Sequence, residues 1–493
     1  AAQHQGPGRG PIAAPRGRGQ APPPPVAMHG ECEPSERQPL AHEPLQRAAI
    51  TTAGFACLSG LLLGYDIGIT NGVLLPVSNY FHMNREEMEF FVGSLNLMAL
   101  PGCLLGGYVA EWFGRRGSIA IGAVLFLIGN CLMTFAVSYE MLVAGRAAAG
   151  LAVGMTLVTE PLYTAETSPA RLRGMLSTNV EVSFNLGIVL GFAASFALGD
   201  LPDDVSWRWM MGLCLLAPGI SLFGVFCVLP ESPRWLASRG RLGEAEEALR
   251  RLLGPLEAAK ALESMRKAAG RLKESEEMTW VEMFSSRKIR WLMFLGGGIA
   301  FFSQATGIES IIYYSGVILI EGGLTRREML MATLCMGLFK MAAIIAQGAV
   351  VDVVGRRPLL VLSSLGMGLS MLTLGLAFTF SWPLAFRVAP ITTFVVLFSL
   401  GYGPIVYTLN AELYSTRCRS KGLALAMGVG RIISALVALS FLSLAELLTY
   451  GGTFMFFAAW GVVAAAFVIF LVPETKGRPL EDDEEPDAGK LHA

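Results

Sequence analysis

Stretches of about 20 mainly apolar residues recur along the chain and are separated by polar segments. Twelve such runs can be counted, centred near residues 62, 100, 127, 152, 187, 219, 302, 340, 368, 398, 434 and 462. Each run is long enough to cross the ~30 Å hydrocarbon core of a bilayer as an α-helix. The hydrophobic pattern therefore predicts an all-α membrane protein with twelve transmembrane helices.

The composition agrees with this prediction. Of 493 residues, 53% are hydrophobic and only 16% are charged, and the mean hydropathy is +0.52. Lys and Arg cluster after even-numbered runs, as at Arg115 and Arg116 or at Arg356 and Arg357. Because cytoplasmic loops carry an excess of Lys and Arg, we expect both termini to lie in the cytosol. The plasma membrane is the expected location, with an internal membrane as the alternative.

Polar segments divide the chain into five parts. Residues 1–46 are rich in Pro, Gly, Arg and Gln, and we expect them to form a disordered cytosolic tail. Residues 47–233 and 291–474 hold six runs each and are expected to form two six-helix bundles. Residues 234–290 place apolar positions at helical spacing with charges opposite, which predicts a cytosolic linker of short amphipathic helices. Residues 475–493 are expected to be a second cytosolic tail.

Two loop motifs recur at equivalent places in the two predicted bundles. GGYVAEWFGRRG (106–117) follows the second run, and GAVVDVVGRRP (348–358) follows the eighth. EPLYTAETSPARLRG (160–174) follows the fourth run, and NAELYSTRCRSKG (410–422) follows the tenth. A duplicated six-helix unit is typical of secondary transporters. The repeats therefore favour two pseudo-symmetric bundles.

The first run holds a carboxylic acid, Asp66, within LLLGYDIGITNG (61–72). A carboxylate at the bilayer centre costs roughly 2.5–3.5 kcal/mol on insertion scales, so it is expected to face a partner or a pathway. Arg146 is the only charge in the fourth run before Glu160. We expect Asp66 and Arg146 to pair, either as a functional site or as an ion pair that only fixes helix packing.

Other chemistries find little support. Six of the eight cysteines fall within apolar runs, namely Cys57, Cys103, Cys131, Cys214, Cys227 and Cys335. Such cysteines pack as small hydrophobic residues, so no disulfide is expected. The sequence has no C-x-x-C motif, no His/Cys cluster suited to a metal, and no nucleophile and base in a catalytic arrangement. We expect no enzyme activity, no cofactor and no nucleic-acid partner.

Taken together, the motifs resemble those of the sugar porter family of the major facilitator superfamily. They are GYDIG (64–68), the two GRR loops, PLYTAETSPARLRG, PESPRWL (230–236), QATGIESIIYYS (304–315), GYGPIVYTLNAELYS (401–415) and PETKG (473–477). The match runs from about residue 48 to 478, and plant-type polyol and monosaccharide proton symporters are the most similar branch. The resemblance implies a monomeric carrier of a sugar or polyol that works by alternating access.

The resemblance implies substrate-binding roles for polar and aromatic residues in several runs. The implied residues are Asn185, Ser303, Gln304, Glu309, Lys340 and Tyr407. Gln304 is the strongest candidate, since an amide offers both a donor and an acceptor to adjacent hydroxyl groups. Gly307 can let the helix break beside it. Tyr313 and Tyr314 are similar to the extracellular gate of the family, although packing is the alternative for both.

Several positions depart from the common family pattern. Glu309 and Lys340 stand where many members have asparagine, and the polyol-transporter branch resembles this chain in having an acid and a lysine there. Two opposite charges in neighbouring runs are each costly alone, so we expect them to pair across the cavity. The pair either shapes specificity toward linear polyols or is purely structural. Gly430 replaces an amide found in many relatives, and neighbouring Arg431 is expected to be structural.

Charged residues near the cytosolic helix ends form a predicted charge lock. The expected pairs are Glu111 with Arg115 and Arg116, Asp352 with Arg356 and Arg357, Glu166 with Arg173, and Glu412 with Arg419. Glu231 of PESPR and Glu474 of PETKG are similar to further members. In families of this kind such charges hold the two halves together on the cytosolic side when the cavity opens outward. Topology signals alone would explain the cations but not acids at matching offsets.

Proton-coupled members of the family carry an acid at the Asp66 position and a facing arginine, whereas facilitators typically carry asparagine. Next to Arg146, Asp66 is expected to stay ionised, and separation of the two on substrate closure lets it take a proton. The expected function is proton-coupled symport of monosaccharides and/or linear polyols. A facilitative uniporter and a non-transporting sugar sensor remain as alternatives.

Overall fold

The apolar runs form long α-helices in the computed structural model, which describes residues 43–167, 173–272, 278–415 and 418–476, and these ranges contain no strand. A bilayer offers no water to backbone N–H and C=O groups, and a helix satisfies them internally. In chain order the helices are α1 (Glu43–Phe81), α2 (Arg85–Trp112), α3 (Gly114–Thr134), α4 (Tyr139–Thr167), α5 (Arg173–Leu198), α6 (Asp203–Leu213), α7 (Leu216–Cys227), α8 (Pro233–Ser238), α9 (Leu242–Leu253), α10 (Pro255–Leu272), α11 (Trp280–Ser285), α12 (Arg287–Ala305), α13 (Ile308–Glu321), α14 (Arg326–Val354), α15 (Arg356–Thr379), α16 (Ala385–Leu400), α17 (Tyr402–Leu413) and α18 (Arg419–Leu471). The predicted all-α class is confirmed.

Eleven helical segments among the described residues are apolar and long enough to cross a membrane. Three of them consist of two helices in sequence: α6 with α7, α12 with α13, and α16 with α17. The last segment, α18, has 53 residues. Its length along the helix axis is therefore roughly 80 Å, which exceeds the length needed to cross a bilayer twice. Thr449, with φ 65° and ψ 162°, interrupts α18 and separates its two apolar runs. The twelve predicted spans are thereby accounted for.

The helices fall into two groups around a helical insertion. Helices α1–α7 are called the first bundle, α8–α11 the insertion, and α12–α18 the second bundle. In the insertion, Leu249 of α9 packs with Trp235 of α8 and Ala258 of α10 in a small apolar core of its own. The indole Nε1 of Trp235 donates to the carbonyl oxygen of Glu111 at 2.8 Å, which holds the insertion against the end of α2.

The two ends of the bundles differ in their loops. The α1–α2, α5–α6 and α13–α14 loops and the break at Thr449 share one end, called the predicted outer end because its loops are short and poor in cations. The two GRR loops, at the α2–α3 and α14–α15 junctions, lie at the other end, called the predicted inner end.

Glycines let α1 and α5 of the first bundle approach each other closely. A Cβ atom on Gly64 of α1 would lie 1.8 Å from the carbonyl oxygen of Phe184 in α5. A Cβ atom on Gly68 would lie 2.4 Å from another α5 carbonyl oxygen. The two backbones are therefore in contact on either side of Asp66 in the sequence. This contact fixes the depth of Asp66 relative to Asn185 on α5.

Candidate transport site

Asp66 and Arg146 meet in the interior of the first bundle. Nη1 of Arg146, on α4, lies 3.0 and 2.8 Å from the two carboxylate oxygens of Asp66, on α1. Asp66 is 1% exposed and Arg146 is fully buried. The guanidinium group also lies 4.9 Å from the ring centre of Phe91. Neither charge could stay at this depth without the other, because an unpaired buried charge costs about 3–5 kcal/mol. The expected contact is present, and its role stays a prediction.

The junction of α12 and α13 breaks the seventh run at Gly307. Its φ of +93° lies in the left-handed region that favours glycine, and a Cβ there would lie 2.9 Å from the ring of Phe457. The break leaves Gln304 near the end of α12, where its Nε2 donates to Ser303 Oγ at 3.3 Å. The Gln304 Oε1 is buried without a hydrogen-bond partner. Because a buried unpaired acceptor costs about 1–3 kcal/mol, Gln304 is suited to accept a hydrogen bond from a ligand hydroxyl.

Lys340 of α14 is buried and reaches α5 of the first bundle. Its ammonium group donates to Oδ1 of Asn185 and lies 5.6 Å from the ring centre of Phe184. Asn185 in turn donates through Nδ2 to the carbonyl oxygen of Glu181 at 2.8 Å and to its Oε1 at 3.2 Å. Asn185 therefore bridges a lysine of the second bundle and a glutamate of the first.

The expected pairing of Glu309 with Lys340 is wrong in this structure. Within the described chain, Glu309 Oε1 accepts a hydrogen bond from Ser434 Oγ at 2.8 Å, and its strongest attraction to a cation is to Arg431. Lys340 is attracted more strongly to Glu181 than to Glu309. The reason is the break before α13: Glu309 lies in the first turn of α13 and faces α18, whereas Lys340 faces α5.

Arg431 of α18 lies among residues that were expected to bind substrate. Its Nη1 is 3.4 Å from Oδ1 of Asn96 on α2, and both Glu309 and Tyr407 lie within its electrostatic reach. Tyr407 of α17 is 40% exposed, so its ring is accessible. Arg431, expected to be structural, is thus a charged neighbour of two candidate substrate-binding residues.

Tyr313 and Tyr314 are fully buried on α13. The ring of Tyr314 stacks on Phe441 of α18, with ring centres 5.1 Å apart. Asn71 of α1 donates through Nδ2 to the carbonyl oxygen of Tyr313 at 3.3 Å and to Ser315 Oγ at 2.6 Å. These bonds join the first bundle to the second on the side of Asp66 that leads to the predicted outer end.

Further contacts hold the two bundles together at the predicted outer end. Glu89 of α2 is 3% exposed and accepts hydrogen bonds from the backbone N–H of Ser443, at 2.8 Å, and from its hydroxyl group. Arg85 lies 2.9 Å from Glu446, and both side chains of this pair are mostly exposed. Two further ion pairs at this end are Asp203 with Arg326 and Asp200 with Arg327.

At the predicted inner end, Arg115 pairs with Glu166 of α4 and not with its sequence neighbour Glu111. Two guanidinium nitrogens of Arg115 lie 2.9 Å from the Glu166 carboxylate. Glu231 accepts hydrogen bonds from the backbone N–H groups of Arg115 and Arg116, at 2.9 and 3.2 Å, at the start of α3. The expected pairing of Glu111 is corrected accordingly: its side chain is exposed, and Arg115 turns toward α4.

The second bundle repeats this arrangement. Nη2 of Arg356 lies 3.2 Å from Glu412 Oε1. Glu474 accepts hydrogen bonds from the backbone N–H groups of Arg356 and Arg357, each at 3.0 Å. Glu474 therefore occupies the position in the second bundle that Glu231 occupies in the first. The pseudo-symmetry expected from the repeated motifs extends to individual hydrogen bonds.

Part of the predicted charge lock stays a prediction. The side chains of Arg173 and Asp352 lie outside the described residues, and so do the pairs expected for them. Arg419 donates through Nε to the carbonyl oxygen of Tyr414 at 3.3 Å. The carboxylate contacts described above, to Arg115 and to Arg356, each lie within one bundle. A lock between the bundles at this end stays a prediction.

Sequence reasoning missed Glu181, Glu89 and Asn71. Glu181 lies four residues before Asn185, the spacing that places two side chains on one face of a helix, and this signal was available. Glu89 stands in the acidic segment REEMEFF, which is typical of a helix start, so its burial was not apparent. Asn71 carries no charge, and nothing in its sequence context marks it.

The side chains gathered between the bundles are amides, hydroxyl groups and paired charges. They are suited to a ligand rich in hydroxyl groups. Within the described ranges, no group of three or more His, Cys, Asp and Glu side chains is arranged to hold a metal ion.

Comparison with known proteins gives consistent matches over most of the chain. A family model described as "Sugar (and other) transporter" matches residues 52–485. Polyol transporter 5 of Arabidopsis thaliana is 35% identical over 494 residues, covering 95% of this chain and 91% of that protein. Probable polyol transporter 4 of the same plant is 36% identical over 447 residues, covering 89% and 85% of the two chains.

Solved structures of the xylose transporter XylE from E. coli share the fold. Its partially occluded inward-open conformation gives a TM-score of 0.77 at 25% identity and covers 88% of this chain and 100% of that one. The structure described as the major facilitator superfamily proton:xylose symporter XylE bound to 6-bromo-6-deoxy-D-glucose gives 0.71 at 27% identity, with coverage of 88% and 98%. The predicted fold, twelve helices in two pseudo-symmetric bundles, is confirmed.

Proposed function

The chain belongs to the sugar (and other) transporter family, and on this premise we propose that it is a proton-coupled symporter of monosaccharides or linear polyols. It moves its substrate across a membrane, proposed to be the plasma membrane, by alternating access between bundles of residues 47–233 and 291–474. It acts as a monomer with both termini in the cytosol. Relatives named polyol transporters and a proton:xylose symporter support the substrate class and the proton.

The buried Asp66–Arg146 pair is the observation that carries the proton-coupled part of the proposal. While Asp66 is ionised, Arg146 holds it and compensates its charge. A proton that binds Asp66 removes this attraction, so α1 and α4 can rearrange and the bundles can change their relative orientation. Release of the proton to the cytosol restores the pair.

The energy available from one proton is sufficient for accumulation. A charge that moves through a potential of ~150 mV releases roughly 3.5 kcal/mol, at ~2.3 kcal/mol per 100 mV. At ~1.4 kcal/mol for each factor of ten, this supports a substrate gradient of a few hundredfold.

The substrate is proposed to bind between the bundles. Gln304 offers a buried free acceptor, and Tyr407 presents an aromatic ring that can pack against the C–H groups of a sugar or polyol. The full set of proposed binding residues is Asn185, Ser303, Gln304, Glu309, Lys340 and Tyr407.

Opening and closing are proposed to alternate between the two ends. At the predicted outer end, the Glu89–Ser443 contact and the hydrogen bond from Asn71 to the carbonyl oxygen of Tyr313 hold the bundles together, and the gate residues Tyr313 and Tyr314 are buried there. This supports assignment of the structure to an inward-facing state. In the outward-facing state, the charged groups at the inner end would connect the bundles instead, with Arg173, Asp352 and Arg419 as further members.

Reconstitution into proteoliposomes tests the function. Addition of sorbitol or xylose should evoke acid influx, and an imposed pH gradient should drive accumulation. Asp66→Asn should abolish both and retain exchange of labelled substrate, because asparagine keeps the shape of the side chain but does not bind and release a proton. Asp204→Asn, at an exposed acid in the first turn of α6, is the matched control and should leave acid influx within about twofold.

Two outcomes would overturn the proposal. Substrate exchange without acid influx in the wild-type protein would identify a uniporter. Binding of these compounds without exchange would identify a sensor.

A further inference from the structure

Glu181 is an acid at the interface of the bundles that does not belong to the predicted substrate-binding residues. Its carboxylate accepts a hydrogen bond from Nδ2 of Asn185 at 3.2 Å, and Lys340 on the opposite bundle attracts it. The ammonium group of Lys340 donates to Oδ1 of the same asparagine. Three side chains thus form a continuous connection from a carboxylate on α5 to an ammonium group on α14.

The amide of Asn185 is occupied at both ends in this connection. Its oxygen accepts from Lys340 and its nitrogen donates to Glu181. The charged groups at the two ends can make further hydrogen bonds, because an ammonium group carries three donors and a carboxylate has about four acceptor positions. Two adjacent hydroxyl groups match this arrangement: one accepts from Lys340 and the other donates to Glu181.

We propose that Glu181 and Lys340 form a diol-binding site that spans the two bundles, with Asn185 as the spacer between them. The ligand class is an open-chain polyol or a sugar with adjacent hydroxyl groups, so the proposal rests on the proposed transport function. Since the two charged groups lie on different bundles, a bound diol ties α5 to α14. Recognition of the substrate and closure around it then depend on the same contacts.

A simpler role for Glu181 is to neutralise the buried charge of Lys340. The two roles differ in the double variant. If the two charges only neutralise each other and neither group contacts the substrate, removal of both charges restores the site. If both groups bind the substrate, removal of both leaves the site without the two side chains that bind the hydroxyl groups.

The experiment measures sorbitol uptake in proteoliposomes for the wild type, Glu181→Gln, Lys340→Gln and the double variant, together with the thermal midpoint of each purified protein. Loss of a charge-assisted hydrogen bond should raise KM about tenfold or more in each single variant, with the maximal rate within about threefold. The double variant should bind sorbitol no better than either single variant. Recovery of the wild-type KM in the double variant, or a KM within about twofold of wild type in Glu181→Gln, overturns the diol site.

Monodeoxy derivatives of sorbitol provide a second measurement. At least one derivative should bind the wild type more weakly than sorbitol binds it. The same derivative should bind Glu181→Gln as tightly as sorbitol binds that variant. If no derivative behaves in this way, the contact between Glu181 and a hydroxyl group is excluded. Should the glutamine variant be unstable, Glu181→Asp keeps the charge on a shorter side chain and should raise KM by a smaller factor.

Glu160→Gln is the matched control. Glu160 is another glutamate in a span and is 4% exposed, but it accepts its hydrogen bond from the backbone N–H of Gly60 at 3.3 Å, on α1. Its variant should keep the sorbitol KM within about twofold. Acid influx separates the two proposals: its absence in the wild type refutes the proposed symport, whereas intact influx with an unchanged KM in Glu181→Gln refutes only the diol site.

Discussion

Two buried charges in the membrane spans are stabilised in different ways. Asp66 contacts Arg146 directly, and both belong to the first bundle. Lys340 of the second bundle reaches Glu181 of the first through the amide of Asn185. A pair within one bundle can persist while the bundles move, whereas a contact between bundles must break when they separate. We therefore expect the first pair to respond to protonation and the second to respond to substrate.

The largest effect is expected where the direct pair loses its cation. Arg146→Leu leaves Asp66 buried without a counter-charge, at a cost of about 3–5 kcal/mol. Uptake should fall by more than about a hundredfold, and the thermal midpoint of the purified protein should fall. The double variant, Arg146→Leu with Asp66→Asn, should recover most of the lost thermal midpoint but should not accumulate substrate. Retained accumulation in Arg146→Leu would show that the pair does not drive transport.

An intermediate effect is expected at the buried contact between bundles. Glu89→Gln removes the charge from the hydrogen bonds to Ser443, which should shift the conformational equilibrium toward the outward-facing state by about tenfold. The measurement is the rate at which an impermeant thiol reagent labels a cysteine at position 304 from outside, in a protein without its native cysteines. An unchanged rate would mean that Glu89 does not hold the outer end closed.

The smallest effect is expected one turn away on the same two helices. Arg85 and Glu446 join α2 to α18 as Glu89 and Ser443 do, but their side chains are 60% and 66% exposed. Exposed ion pairs contribute about 0–1 kcal/mol, so Arg85→Ala should change the same labelling rate by less than about threefold. The difference should vanish at high salt. An effect as large as that of Glu89→Gln would argue against burial as the deciding factor.

The sequence was sufficient to predict the fold and the direct pair. Bilayer thickness sets the length of each apolar run, and the repeated loop motifs reveal the duplication. The Asp66–Arg146 contact was predictable because few charges occur in the first four spans, so the choice of partners was small. The break at Gly307 was predictable because glycine stood among polar residues in a membrane span.

The partners of the remaining charges were not predictable from the sequence. Glu309 was expected to contact Lys340, and Arg115 was expected to contact Glu111, because these residues are near each other in the sequence or in neighbouring spans. The actual contacts depend on how each helix is rotated about its axis and on where it breaks. An apolar span shows little periodicity that would fix its rotation, so the contacts of Lys340 with Asn185 and of Arg115 with Glu166 emerged only from the structure.

The carboxylate of Glu474 has a practical consequence for the design of fusion proteins. It accepts hydrogen bonds from the backbone N–H groups of Arg356 and Arg357, at 3.0 Å each, and of Lys476 at 2.9 Å. Gly355, with φ +102°, leaves room for it, since a Cβ there would lie 2.7 Å from Glu474 Oε2. A fluorescent protein or affinity tag joined after Lys476 leaves these bonds intact. A truncation that removes Glu474 frees the start of α15 and detaches the end of the last span from it.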